Sequence, residues 1–290
     1  MPHLPHSDPQ HHHRATLDLL LREVSAVSGS SKEPRSCDLL AFRDEQGVNN
    51  VSQFCDCIGR LDLGRLTEAY ERCRAGAPDR HFCGKKYFGD RSGFPSGDKK
   101  SNRNEEHLAM ALFNDFAALG AVDYAGLSAL RLLDYQFPLK SKRADRRIGK
   151  VDLFAVIDDA HPCVIELKVA SGNGKPGTPL FAFLEALAYC AVVEANMNAI
   201  AEEAQSKHQV SFTAHKPRLM VLAPMSYWEK YIQHKKAGDW RPRLQELADA
   251  IVERVGVRSH FAALRGAGFS MGSRDVKPRL DGKWCLESAW

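Results

Sequence analysis

Residues 150–169 read KVDLFAVIDDAHPCVIELKV and decide the fold that the sequence predicts. The segments 151–157 and 163–169 are rich in apolar and β-branched residues, which is typical of strands, and the polar residues between them favour a turn. Three charged side chains interrupt these apolar segments: Asp152, Glu166 and Lys168. A charge within a buried strand is costly unless it is paired or binds a metal ion, so these side chains indicate a functional site.

The register of the two strands decides whether the three charges meet. A five-residue turn would place Ile157 opposite Cys163. In that register Asp152 faces Lys168, and Glu166 lies two residues away on the same face. The apolar residues of the second strand then lie on the other face: Ile165, Leu167 and Val169. Two carboxylates beside a lysine predict a site for a hard divalent cation such as Mg²⁺, which takes oxygen ligands.

The spacing Asp-(x13)-Glu-x-Lys, with apolar residues on both sides, resembles the active-site signature of the PD-(D/E)xK nuclease superfamily. Lys150-Val151-Asp152 lacks the proline that names the motif, a loss that the superfamily tolerates. The resemblance covers residues 101 to 224. It implies an α/β protein with the restriction-endonuclease-like fold. That fold has an αβββαβ core, a central mixed sheet flanked by helices, and here N-terminal and C-terminal additions.

Local signals in the sequence give the same order of elements, namely helix, three strands, helix and strand. The predicted elements are a helix from Ser101 or Asn102 to Leu119, strands at 129–139, 151–157 and 163–169, a helix at 179–196 and a strand at 218–224. Outside this core, the spacing of apolar residues predicts helices over Leu63–Ala75, Tyr227–Lys236 and Pro242–Val255.

Two glutamates occupy the first turn of the predicted helix that ends at Leu119. Glu105 and Glu106 follow a capping residue and could simply complement the helix dipole. Glu105 lies on the same helical face as the apolar stripe, whereas Glu106 falls outside it. In the superfamily that it resembles, the first core helix often carries a glutamate facing the site, and Glu105 has that position.

The resemblance also implies the chemistry. Asp152 and Glu166 would bind Mg²⁺ or Mn²⁺ together with the backbone carbonyl of Leu167. Lys168 would position or help deprotonate the attacking water and offset developing charge. Glu105 would be an outer ligand or a ligand of a second metal ion. Hydrolysis of a phosphodiester needs an activated water and charge neutralisation at the phosphate, and a metal ion can provide both.

A run of positive charge leads into the first of these strands, although the whole chain carries a net charge of only +4. It contains one carboxylate, Asp145, among six cationic side chains: Lys140, Lys142, Arg143, Arg146, Arg147 and Lys150. An isolated run of this kind is usually a solvated loop. Because this run adjoins Asp152, a loop that contacts nucleic-acid phosphates is an equal interpretation.

Three functions compete on this basis. The first is a Mg²⁺-dependent nuclease that acts on nucleic acid, with DNA as the expected substrate. The second is a catalytically silent module that keeps the fold and binds or scaffolds nucleic acid. The third is a metalloenzyme or hydrolase that acts on other substrates, and no further motif in the sequence supports it. The intact Asp152, Glu166 and Lys168 favour the nuclease. A homodimer is possible, and the sequence does not choose between endonuclease and exonuclease.

The 290 residues divide into three predicted regions. Residues 1–35 are rich in His, Pro and Ser and predict a disordered tail. Residues 36–100 form an N-terminal accessory region without a place in the nuclease pattern. Residues 101–290 form the nuclease-like domain, and this length suffices for a sizeable core.

The sequence also predicts the compartment. No apolar run approaches the roughly 20 residues of a membrane span, and no apolar N-terminal signal is present, so we expect a cytoplasmic protein without membrane contact. The eight cysteines are then expected to be reduced. The cysteines around His81 lack the paired C-x₂-C spacing of structural zinc sites, so zinc is not expected: Cys55, Cys57, Cys73 and Cys83.

Overall fold

The computed structural model describes residues 37–95, 103–124, 127–170, 177–266 and 268–290. These residues belong to one compact unit. The predicted tail at 1–35 and the predicted capping residues Ser101 and Asn102 lie outside the described residues.

Helices and strands follow one another along the described chain. The helices are α1 (Asp38–Glu45), α2 (Phe54–Arg60), α3 (Leu63–Ala75), α4 (Asn104–Leu119), α5 (Pro179–Ala195), α6 (Met197–His208), α7 (Met225–Ile232) and α8 (Trp240–Val255). The strands are β1 (Val122–Tyr124), β2 (Leu127–Pro138), β3 (Lys150–Ile157), β4 (His161–Leu167), β5 (Arg218–Pro224), β6 (Ser259–Arg265), β7 (Gly268–Ser270), β8 (Arg279–Asp281) and β9 (Cys285–Ser288).

Two of the helices show why the local sequence signals were informative. The Asp62 side chain caps α3 by accepting hydrogen bonds from the backbone amides of Gly64 and Arg65, at 2.8 and 3.1 Å. The Thr178 hydroxyl caps α5 by accepting from the Phe181 amide at 3.2 Å, and proline occupies the first turn. The predicted bounds of α3 are confirmed, and those of α5 differ by one residue.

The main sheet closes into a barrel in the order β1-β2-β3-β4-β5-β6-β9. The pairs β4–β5, β5–β6 and β1–β9 are parallel, and the other neighbours are antiparallel. The prediction of a restriction-endonuclease-like core with an open central sheet flanked by helices is therefore wrong. Strand β9, from the C-terminal addition, pairs with β6 on one side and with β1 on the other, and so joins the two edges that an open sheet would leave free.

The β3–β4 hairpin has a tighter turn than predicted. Ile157 pairs with His161 rather than with Cys163, because His161 and Pro162 belong to β4. Asp158 and Asp159 make this short turn with φ angles of 55° and 49°. Aspartate tolerates this left-handed region better than most residues.

The predicted register of the hairpin is consequently wrong by two residues. Leu153 pairs with Ile165, so continuing the ladder by one step sets Asp152 level with Glu166 rather than with Lys168. Side chains alternate between faces with a period of two residues, so a shift of two leaves every side chain on its predicted face. The three charged residues therefore still share one face.

The two faces of the sheet bury two separate cores. One core contains the hairpin residues Leu153, Ala155 and Ile165 together with the apolar side of α4. The other contains Phe154, Val156 and Val164 together with helices α1, α3, α5, α7 and α8. The charged residues of the hairpin lie on this second face, at its margin.

The accessory region packs directly on the rest of the unit. Helices α1 and α3 contact each other, and both contact α5. The Tyr70 hydroxyl in α3 donates a 2.6 Å hydrogen bond to Glu194 in α5. A disulfide joins Cys37, just before α1, to Cys73 in the last turn of α3. The expectation of reduced cysteines is wrong for this pair.

Helix α5 is strongly apolar, and most of its side chains are buried between the sheet and the neighbouring helices. Among the described residues, no single helix is both long and apolar enough to span a membrane. The helices α5 and α6 meet the length and composition limits only as a pair, bent by 82°.

Candidate active site

The charged residues of the hairpin meet in a polar cleft of about 380 Å³. Asp152 comes from β3, Glu166 from β4, and Lys168 follows directly after β4. The amide of Lys168 donates a 3.0 Å hydrogen bond to the carbonyl of Leu222, so the ladder to β5 continues past the end of the strand. The cleft is lined by Asn49, Glu105, Lys150, Asp152, Glu166, Lys168, Gly177, Phe181, Glu185 and Tyr189.

Asp152 is held by hydrogen bonds to both carboxylate oxygens. The backbone amide of Leu167 donates to Oδ2 at 2.9 Å, and the Gln136 side chain donates to Oδ1 at 3.1 Å. Burial, with smaller contributions from the charges of Glu105 and Glu185, raises the pKa of Asp152 to about 7 against the opposing effects of Lys168 and the Leu167 amide. The carboxyl group therefore gains or loses its proton near neutral pH.

Lys168 is buried between two carboxylates. Its Nζ lies 2.5 Å from Oε1 of Glu166 and 3.4 Å from Oε2 of Glu185, and its side chain is only 7% exposed. Burial alone would lower the pKa of Lys168, but the surrounding carboxylates raise it well above its usual range. The ammonium group thus stays protonated. A protonated Lys168 can offset negative charge in the cleft, and its predicted part in positioning or deprotonating the attacking water stays a prediction.

Glu185 is the second partner of Lys168 and comes from α5. Arg43 Nη1 lies 3.2 Å from its Oε1, and the Tyr189 hydroxyl donates to the same oxygen at 3.3 Å. Burial would raise the pKa of Glu185, but Lys168 and Arg43 outweigh it and hold the pKa below its usual value. Glu185 and Tyr189 lie four residues apart on one helix, a spacing that makes their side chains neighbours but does not by itself indicate a site.

The accessory region contributes one wall of the cleft, which the sequence did not predict. The guanidinium of Arg43 stacks on the Phe181 ring at 3.9 Å, and its Nε and Nη2 donate to Asp44 Oδ1 at 3.0 and 2.7 Å. The Asn49 side chain accepts a 3.0 Å hydrogen bond from the Thr178 amide. No local pattern marks Arg43 or Asn49, because their partners lie more than a hundred residues away in α5 and before it.

The two glutamates in the first turn of α4 have different neighbours. Glu105 lines the cleft, and its charge acts on both Asp152 and Lys168. Glu106 instead forms an ion pair with Arg103 at 3.3 Å. The structure thus brings Glu105 to the strand carboxylates, as its position on the helical face predicts, and α4 begins at Asn104 with Arg103 as its N-cap.

Comparisons with known proteins find no match to a family model, to a curated protein or to a solved structure. The resemblance to PD-(D/E)xK nucleases stays a prediction from the motif. What the site can do is therefore argued from its own residues.

The basic connection between β2 and β3 presents most of its charge to solvent. Its one carboxylate, Asp145, is buried and accepts hydrogen bonds from the Ser141 amide, the Ser141 hydroxyl and the Lys142 amide. Five of the six predicted cationic residues are exposed, Lys140 is half-buried, and only Lys150 lines the cleft. The exposed residues are Lys142, Arg143, Arg146, Arg147 and Lys150.

The donor set of the cleft fits a hard divalent cation by its chemistry. Four carboxylates line it together with two lysines, and carboxylate oxygens are the ligands that Mg²⁺ and Mn²⁺ prefer. Among the described residues, no three His, Cys, Asp or Glu side chains are already grouped as a metal centre. In the structure, Oε1 of Glu166 accepts a hydrogen bond from Nζ of Lys168. The predicted part of the Leu167 carbonyl stays a prediction, whereas its amide contacts Asp152.

Proposed function

We propose that this protein hydrolyses phosphodiester bonds of nucleic acid, DNA foremost, with Mg²⁺ or Mn²⁺ as its cofactor. One observation carries the proposal. Asp152 and Glu166, from neighbouring strands, and the protonated Lys168 converge in a single polar cleft. The combination would offer a cation two carboxylate ligands and a phosphate group one fixed positive charge.

The cation would be held by Asp152 and Glu166, with Glu105 at the side of the cleft. When bound, it would supply an activated water and neutralise charge at the phosphate. Lys168 would donate a hydrogen bond to a phosphate oxygen and offset the charge that develops there. Its fixed position avoids reorganisation during the reaction.

Glu185 has a separate task in this proposal. Lys168 has two carboxylate partners, and Glu185 is itself fixed by Arg43 and Tyr189. Glu185 can therefore retain the ammonium group when Glu166 turns to the cation. The ion pair with Glu185 would then keep the positive charge of Lys168 in the cleft while Glu166 binds the cation.

The basic connection between β2 and β3 supports a polyanionic substrate. Arg143, Arg146 and Arg147 are exposed on it, and Lys150 continues it into the cleft. Neutralisation of phosphates by such a run gives affinity that falls steeply with salt. The run therefore favours nucleic acid over a small uncharged substrate.

The test compares wild type, Lys168→Ala and Asp152→Ala on supercoiled, linear and single-stranded DNA, with and without Mg²⁺ or Mn²⁺. We expect metal-dependent cleavage by wild type. Lys168→Ala should lose about a hundredfold or more of the rate while Mn²⁺ still binds, because lysine acts on charge rather than as a ligand. Asp152→Ala should lose Mn²⁺ binding and cleavage together.

The control is Lys235→Ala, which removes an exposed lysine outside the cleft and should cleave as wild type does. Equal cleavage by all of these proteins would reject the proposal. If none of them, including wild type, cleaves any of these DNA substrates while DNA still binds, the chain is a binding module instead.

A further inference from the structure

A second cavity lies beside the cleft of the candidate active site and is built mainly by the accessory region. Its volume is about 630 Å³, within the range of roughly 300–1,000 Å³ that is usual for small-molecule sites. Two of its lining residues, Asn49 and Phe181, also line the cleft, so a substrate in the cleft has this cavity next to it. The lining residues are Arg43, Asp44, Gly47, Val48, Asn49, Asn50, Val51 and Phe181.

The charges of this cavity differ from those of the cleft. Of the described residues that line it, only Arg43 and Asp44 are charged, and they pair with each other at 2.7 Å. The lining therefore carries no net charge, whereas the cleft contains four carboxylates and two lysines. A second phosphate group finds no unpaired cation here, so the cavity suits an uncharged part of a substrate.

Two asparagines supply the polar groups of the cavity. Oδ1 of Asn49 accepts a hydrogen bond from the Thr178 amide at 3.0 Å, and Oδ1 of Asn50 accepts one from the Ser52 amide at 3.0 Å. In the described part of the chain, neither NH₂ group donates a hydrogen bond. Both side chains are exposed, so their NH₂ groups can donate to ring nitrogen and carbonyl acceptors of a ligand.

The remaining walls are apolar and fixed in place. Val51 and Phe181 are partly buried against the core, and Val48 is buried in it. The Thr178 hydroxyl donates a 2.6 Å hydrogen bond to the Val48 carbonyl, which ties this wall to the start of α5. A wall that is already ordered lowers the cost of binding. An aromatic and an aliphatic side chain with amide donors beside them suit a flat heterocycle with acceptors on its edge.

We propose that this cavity binds an unpaired nucleobase of the substrate strand, next to the phosphate group held in the cleft. The inference rests on the proposed hydrolysis, because it takes the ligand of the cleft to be nucleic acid. A base within a duplex is paired at its edge and stacked on its faces, so only an unpaired or extruded base can enter a protein cavity. Single strands and unpaired strand ends are then the preferred substrates, and the accessory region selects them.

The first experiment measures binding by fluorescence anisotropy in the presence of a chelator, so that metal-dependent cleavage does not interfere. A short single-stranded DNA is compared with an abasic oligonucleotide that has the same number of phosphates. Wild type should bind the DNA with bases about tenfold more tightly, the order expected when one base packs on an aromatic side chain. The ratio of the two affinities is the readout, because the phosphate charges contribute equally to both.

Asn50→Asp tests the amide donor. The new carboxylate can still accept the hydrogen bond from the Ser52 amide, but it has no NH₂ group. The affinity ratio should fall at least about threefold, as expected for loss of a hydrogen bond. Asn198→Asp is the matched control, because it adds the same charge at an exposed position of α6 that lines neither cavity nor cleft. Its ratio should equal that of wild type.

Val51→Trp tests the space itself, because the indole ring would occupy part of the cavity. This variant should bind the DNA with bases no more tightly than the abasic oligonucleotide. Its affinities for the abasic oligonucleotide and for a DNA duplex should stay near those of wild type. Val276→Trp adds the same ring at an exposed position outside the cavity and should keep the wild-type ratio. The thermal midpoints of all variants show whether each one folds.

The proposal is overturned if wild type binds the two oligonucleotides equally, or if Asn50→Asp and Asn198→Asp have the same affinity ratio. It is also overturned if Val51→Trp weakens binding of duplex and abasic oligonucleotide as much as that of single-stranded DNA. None of these measurements requires cleavage. Cleavage with an affinity ratio of one would reject this inference alone, whereas a high ratio without cleavage would reject the hydrolysis and keep the nucleobase site.

Discussion

At the scale of single residues, Asp152 links the candidate active site to the stability of the fold. Its pKa of about 7 in the folded protein lies above the value of about 3.9 for an unfolded aspartate. Between these two values the folded state binds the proton more tightly than the unfolded state. The contribution of Asp152 to the free energy of unfolding is thus fully present below pH ~4 and is lost as the pH rises to about 7.

Asp152→Asn removes this pH dependence. An asparagine can still accept the hydrogen bond from the Leu167 amide, but it carries no charge near Glu105 and Glu185. We expect the variant to be more stable than wild type at pH 8, by roughly 1–3 kcal/mol, and close to wild type at pH 4. Thermal unfolding in metal-free buffer across this pH range measures the difference.

The matched control for that experiment is Asp275→Asn, because Asp275 is exposed and outside the cleft. It should follow the wild-type pH profile. An Asp152→Asn protein with the same loss of stability between pH 4 and pH 8 as wild type would contradict the raised pKa of Asp152.

The residues of the site divide into those that a sequence can reveal and those that it cannot. Asp152, Glu166 and Lys168 could be assigned to one face because side-chain alternation survives a register error of two residues. Glu105 could be assigned because its helix carries a regular apolar stripe. Arg43 could not, because its role depends on a contact with Glu185 that no local pattern encodes.

At the scale of elements, the cleft depends on how firmly α1 is held. The Cys37–Cys73 disulfide closes a loop with a sequence separation of 36 and ties the start of α1 to the end of α3. Helix α1 carries Arg43, which holds Glu185 at the cleft. The position of a residue in the site therefore depends on a covalent link outside it.

We predict that Cys73→Ser lowers the free energy of unfolding by about 2–4 kcal/mol, since the unfolded chain gains the freedom that the loop had removed. Denaturant unfolding without reductant measures the loss. Cys83→Ser is the control, because Cys83 is a free cysteine and its replacement should change little. If reductant destabilises wild type no more than it destabilises Cys73→Ser, the link does not form in solution.

Helices and strands with a strong local sequence pattern were predictable, whereas short strands without such a pattern were not. The strand Arg218–Pro224 is apolar from Leu219 onward, and its predicted bounds are those of β5. The strands β1 and β9 have three and four residues, too few for an alternation pattern to stand out. Their existence depends on partners elsewhere in the chain.

At the scale of the whole molecule, closure of the barrel rests on one short contact. Tyr124 in β1 pairs with Leu286 in β9, and both side chains are buried in the core that includes α4. The ends of this pairing are far apart in the chain, so nothing in the local sequence predicts it. The fold class was therefore wrong although most of its elements were predicted.

Leu286→Ala tests the closure. Loss of a buried leucine should cost about 2–4 kcal/mol of the free energy of unfolding, and it should speed hydrogen exchange of the β1 and β9 amides more than that of β3 and β4. Lys283→Ala, at an exposed position before β9, should leave both quantities near wild type. If hydrogen exchange accelerates equally in all strands, the pairing of β1 with β9 is no less stable than the rest of the sheet.

The order of β6 and β9 along the chain also matters while the chain is being made. The strands β1 to β6 are synthesised before residues 285–288, and without these residues the sheet has an open edge at β1 and another at β6. Open strand edges recruit strands from other chains. A chain cut after β6 would thus be prone to aggregate, and residues 285–288 remove both open edges at once.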